Sequence, residues 1–116
     1  VWQRCRENML GGDLLEWPYI EYSEQFRDNV NYYRDRGLRF QLQDALVTIS
    51  SQLVSADGNL QALRKLPEGL DYTPLQGHPG IFHFSVTDFW RVSCQHIEGK
   101  VVLRRFGPHD DVNKNP

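Results

Sequence analysis

Toward the C-terminal end of the chain, apolar and polar residues alternate in three short runs, residues 81–86 (IFHFSV), 89–94 (FWRVSC) and 100–106 (KVVLRRF). Thr87-Asp88 separates the first two and Glu98-Gly99 precedes the third. Successive strand side chains point to opposite faces, so this pattern predicts a three-stranded antiparallel meander. Phe82, Phe84 and Val86 share one face of the first run, and Ile81, His83 and Ser85 the other. In the second run Trp90, Val92 and Cys94 oppose Phe89, Arg91 and Ser93. The third run is ambiguous, because Val101, Leu103 and Arg105 alternate with Val102, Arg104 and Phe106. A sheet that buries its first face would gather His83, Ser85, Arg91, one of Arg104 or Arg105, and His109 on its second.

The period changes upstream. Residues 19–22 alternate as a first strand, and Ser23 follows as an N-cap with Glu24 in the first turn. Phe26, Val30 and Tyr33 recur at helical spacing, which predicts a helix over 24–36 that Gly37 stops. A second helix is expected from about 38 to 55, with Leu42, Leu46, Ile49 and Leu53 as its stripe and Phe40 and Ala45 beside them. The two form an αα-hairpin whose apolar faces need the meander as a partner. Residues 60–80 are irregular and rich in Pro and Gly, with Leu63, Leu66 and Leu70 available to tack them down. Residues 1–18 form an N-terminal extension, broken at Gly11-Gly12 and Pro18, that packs through Trp2, Leu10 or Trp17. The reading is therefore an α+β domain over 19–113, with an N-terminal strand, an αα-hairpin and a three- to four-stranded antiparallel sheet. Residues 114–116 are a polar tail.

A chain of 116 residues accommodates one core, and no apolar run approaches the ~20 residues that span a bilayer. With no secretory signal in view, the cytoplasm is the expected compartment. A net charge of −2 argues against a protein that coats nucleic acid unaided, although all four histidines fall in the second half, with the meander. Cys5 and Cys94 lack metal-ligand spacing, and Cys94 on the apolar face reads as a buried thiol. His109 with Asp110 and Asp111 lacks a matched third ligand, so neither metal nor cofactor is expected.

Three pieces in this order carry a family resemblance: Leu63-Arg-Lys-Leu66, Phe89-Trp-Arg-Val92, and Arg105-Phe-Gly-Pro-His-Asp-Asp-Val112. Together with the strand and helical hairpin before them, they resemble the RelE/ParE toxin superfamily of bacterial toxin–antitoxin modules, over roughly residues 19–113. The resemblance implies one of two activities. RelE-like toxins cut mRNA, usually on the ribosome and without a metal; ParE-like toxins inhibit DNA gyrase. Both are held by an antitoxin, for which Leu63, Leu66 and Leu70 are the candidate seat. The sequence departs from the family's pattern at Pro108 in place of a basic residue, at His83 in place of a lysine, and at Asn113 in place of a tyrosine.

Metal-free RNA cleavage needs a base for the 2′-OH, cations for the phosphate and an acid for the leaving 5′-oxygen. Arg91 is the candidate phosphate ligand, with Arg104 or Arg105 as a second cation. His109 and His83 are the candidate proton-transfer groups. Structural roles compete with these. Arg91 could be a surface arginine paired with Asp88 or Glu98, and His109 a turn residue. A protein-binding, gyrase-type toxin working through residues 31–36, or the toxin domain of a larger secreted protein, are the alternatives.

Overall fold

A computed structural model of the chain describes residues 17–116. Trp2, Leu10 and Cys5 therefore lie outside the described residues. Strand β1 (Ile20–Tyr22) leads into α1 (Glu24–Tyr32), then α2 (Arg39–Ser55), β2 (Thr73–Pro74), β3 (Ile81–Ser85), β4 (Trp90–Ile97), β5 (Lys100–Pro108) and α3 (His109–Lys114). The strands form one five-stranded sheet in the order β1-β5-β4-β3-β2. The expected meander is present as β3–β5, and its β4–β5 turn uses left-handed backbone at both Glu98 (φ 51°) and Gly99 (φ 78°), as tight hairpins require. The sheet is mixed rather than wholly antiparallel, because β1 runs parallel to β5, with Ile20 opposite Val101 and Tyr22 opposite Leu103. Two-residue β2 adds an edge that the irregular composition of 60–80 had concealed.

The helices pack on the first face. Phe26 and Val30 of α1 and Leu42, Ala45, Leu46, Ile49 and Leu53 of α2 join Phe84, Val92, Cys94, Val101, Leu103 and Phe106 in one buried cluster. Trp17 joins it too, so the described part of the N-terminal extension docks on the domain. Phe40 does not. It lies about 200° around the helix from Leu42 and is 77% exposed. The first helix is also shorter than its periodicity suggested: α1 ends at Tyr32 and a 3-10 turn, Arg34–Arg36, carries the chain to Gly37 in the left-handed region.

The ambiguity of the third run has a geometric answer. Ser93 pairs with Arg105 but Cys94 pairs with Leu103, so Arg104 is an extra residue, a β-bulge. Leu103 and Phe106 are three apart and would point to opposite faces of a regular strand. With one residue extruded, both reach the core, at 0% and 2% exposure. The start of α1 holds the bulge. Ser23 donates its N–H to the Leu103 carbonyl (2.9 Å) and its hydroxyl to the Arg104 carbonyl (3.0 Å). The same hydroxyl accepts the Phe26 N–H at 3.1 Å as an N-cap.

The bulge leads to a test. Arg104→Ala removes only side-chain bonds and is expected to cost about 1 kcal/mol in urea unfolding. Deleting Arg104 turns either Leu103 or Phe106 to the wrong face and is expected to abolish a stability that totals about 5–15 kcal/mol for a domain. A deletion variant as stable as Arg104→Ala would refute this account of the strand.

Candidate active site

The second face is set by register. His83, Ser93 and Arg105 lie side by side across β3, β4 and β5, and Ser85, Arg91 and Gly107 form the next row. Behind these rows a ring cluster fixes the strands. Trp90 meets Tyr33 edge-on at 4.8 Å and Phe106 at 5.6 Å, so the residues beside Trp90 and Phe106 must project the other way.

The chain after β5 turns back over this face as α3. Two acids in its first turn, Asp110 and Asp111, and Lys114 in its last suit the helix dipole, and Val112 is buried at 2%. A turn at His109 followed by a polar tail was the expectation here; the structure has a short helix. The His109 N–H donates to the Phe89 carbonyl at 2.7 Å, tying α3 to the β3–β4 loop.

Each charged group on the face has a distinct situation. Arg91 is held by Asp71 (Nη1–Oδ2 2.9 Å), not by Asp88 or Glu98. Arg104 donates to the Gln95 side chain (2.8 Å) and to the Pro116 carbonyl (3.2 Å), which ties it to the chain end and takes it out of the candidate phosphate site. The side chain of Arg105, opposite Ser93, makes no hydrogen bond or ion pair among the described residues. It is the cation left over. His109 sits between Asp110 (Nδ1–Oδ1 3.2 Å) and Asn113 (Nε2–Nδ2 3.3 Å). An amide nitrogen only donates, so Nε2 accepts and the neutral ring carries its proton on Nδ1, toward Asp110.

His83 is held below the usual histidine range, first by burial and then by the Arg91 charge, with His109 adding to the effect; Asp71 and Asn113 act the other way. The five side chains are thus within electrostatic reach of one another. His83 Nδ1, Arg91 Nε, Ser93 Oγ and Asn113 Oδ1 are all buried with no partner in hydrogen-bond geometry among the described residues, although Asn113 lies near enough to His83 to favour its protonated form. Such atoms are uncommon in folded proteins. Here the ones found share one face. Asp71, Ser93 and Asn113 were not anticipated from sequence. Asn113 had one available signal, its i+4 spacing from His109.

Leu63, the expected antitoxin seat, is buried in the main core, and Leu66 and Leu70 pack partly buried against it. They form no exposed ridge. No three His, Cys, Asp or Glu side chains among the described residues are grouped to hold a metal ion. None of the described helices is long and apolar enough to cross a membrane.

No family model matches the sequence, and no curated protein matches it. Solved structures do resemble the fold. The chain superposes on a structure of the Escherichia coli DinJ–YafQ toxin–antitoxin complex with a TM-score of 0.60 and 21% identity, covering 84% of this chain and 98% of that one. A structure of YafQ from E. coli strain BL21(DE3) matches with a TM-score of 0.57 and 22% identity, over 80% and 94%. The chain shares the fold of these YafQ structures, an α+β architecture of the kind the sequence resemblance implied.

His83 provides the test of the electrostatics. Its ring signals in an NMR pH titration are expected to show a midpoint below the ordinary ~6.5. Arg91→Gln should raise that midpoint without restoring it, since burial is the larger cause. Because the unfolded chain binds the proton more readily, stability is expected to fall as pH drops below ~6.5 toward the folded midpoint. A midpoint at or above 6.5 would contradict the placement.

Proposed function

We propose that this chain is the toxin of a toxin–antitoxin pair and that it cleaves RNA in the cytoplasm without a metal. The reading rests on the cluster of buried polar atoms on the second face that lack partners among the described residues, beside an arginine, Arg105, whose side chain has none there either. A surface that served only protein contacts through the helical hairpin would not require them, and this favours a polyanionic substrate over gyrase.

The chemistry follows from the arrangement. Arg105 and Arg91 take the non-bridging oxygens of the scissile phosphate, a geometry that guanidinium suits. His83 stays neutral near pH 7 because burial and Arg91 disfavour its protonated form, which makes it the base for the 2′-OH. The 2′-oxygen forms a bond to phosphorus as the bond to the 5′-oxygen breaks. For this step His109 takes a second proton on Nε2 in place of the bond from Asn113, and with its Nδ1–H held by Asp110 it gives the Nε2 proton to that oxygen. The products are a 2′,3′-cyclic phosphate and a free 5′-hydroxyl.

In the neighbouring structure YafQ is bound by DinJ in a toxin–antitoxin complex. By analogy we infer a protein antitoxin for this chain, whose contact could include the partly buried Leu66 and Leu70 but needs surface beyond them.

Cleavage of single-stranded RNA in the presence of a chelator, with and without ribosomes, tests the proposal. Arg105→Ala is expected to slow it by about 10²-fold, as removal of a single charge-stabilising donor does. His83→Asn and His109→Asn should each slow it by about 10²–10⁴-fold with unchanged thermal unfolding above pH 7. If the wild-type chain leaves RNA intact but blocks DNA supercoiling by gyrase, the nuclease reading is wrong.

A further inference from the structure

We propose that Asp71 competes with the RNA backbone for Arg91, so that the site accepts only ligands offering several phosphates at once; this rests on the RNA reading above. Asp71 stands next to the site through its backbone. Its N–H donates to the Glu68 carbonyl (2.9 Å), and it adopts the left-handed conformation (φ 50°) that closes the turn Glu68–Leu70. Tyr72 locks the segment. Its ring stacks on Phe84 at 5.8 Å and 9°, and its hydroxyl lies 2.8 Å from His96 Nε2 while receiving the Cys94 thiol at 3.3 Å. Burial pushes both the Tyr72 phenol and the Cys94 thiol up, the thiol to about 12, so the anchor stays uncharged.

The carboxylate itself is not locked. The Asp71 side chain is 48% exposed while that of Arg91 is 13% exposed. A side-chain rotation therefore frees the guanidinium with no movement of the sheet. Among the described residues only Nη1 of Arg91 is engaged, and Nε is buried without a partner, so they leave the fork incompletely satisfied.

The exchange is electrostatically neutral at Arg91. A phosphodiester carries one negative charge, as does the carboxylate it replaces, and His83 sees an anion in either state. A single phosphate thus gains little by displacing Asp71. A strand that also engages Arg105, which has no internal competitor, gains a second contact in the same event. Asp71 acts here as a specificity-determining residue that raises the threshold for binding small anions.

The test uses Asp71→Asn and Asp71→Gly, both of which tolerate the left-handed backbone. The probe is a short single-stranded RNA, 2′-O-methylated throughout so that it cannot be cut, followed by fluorescence anisotropy over a salt series. Both variants are expected to bind it about two- to fivefold more tightly, the worth of a partly exposed ion pair. The dependence of log affinity on log salt should steepen by about 0.7, one further net phosphate contact on a single strand. Inorganic phosphate should displace the probe from Asp71→Gly at lower concentration than from wild type. In an Arg91→Gln background the substitutions should have no effect, which a merely structural role for Asp71 would not predict.

Equal or weaker binding by both variants, or an effect that persists without Arg91, overturns the proposal whether or not the chain cleaves RNA. No measurable binding by any of the three proteins overturns it together with the nuclease reading. Tighter binding by the variants alongside a wild-type chain that never cleaves unmodified RNA removes the nuclease reading alone.

Discussion

Leu103 and Phe106 can share one core only because Arg104 drops out of register between them. That single extruded residue decides which way everything after it on β5 points. With it, Arg105 joins the row of His83 and Ser93, and Gly107 lies opposite Arg91. Without it, the strand would present either a buried arginine or an exposed phenylalanine. Bulges recur near functional sites because they re-aim a side chain without rebuilding the sheet. Here the helix cap Ser23 holds the extruded carbonyl, so the first helix of the domain and the last strand set each other's geometry.

The second face owes its chemistry to partial coverage. α3 and the segment before β3 bury Leu75, Val102 and Val112 against it, outside the main core, and leave polar groups half-wrapped between them. Half-wrapping makes charge expensive without excluding a ligand. That is why His83 resists protonation, and Arg91, largely buried itself, is paired with Asp71. The arginine at the bulge and the one after it have opposite fates: Arg104 is tied to Gln95 and the chain end, while the Arg105 side chain has no partner among the described residues.

Much of this was legible in the sequence, for reasons that differ by element. The faces of β3 and β4 follow from strict alternation, and the stripe of α2 from its leucines, so the αα-hairpin and meander could be drawn in advance. The choice between Arg104 and Arg105 could not, because alternation itself fails at a bulge and no residue type marks one here. α3 carries a local signal, Pro108 just before two acids at Asp110 and Asp111, which suits a helix start. The parallel pairing of β1 with β5 and the Asp71–Arg91 pair join residues far apart in sequence, and local pattern is silent about such partners.

The sheet order places Ile20 beside Val101, with the whole αα-hairpin and strands β2, β3 and β4 lying between them in the chain. Such a contact closes a long loop before it yields any stabilisation, and domains dominated by pairings of this kind fold slowly. On a translating ribosome the hairpin helices can emerge and collapse, but their apolar stripes wait uncovered until β5 has been made. Arg105 and His109 arrive with or just after that strand. The guanidinium and imidazole groups therefore come together late, in the same event that completes the fold, and the candidate site is incomplete on a nascent chain.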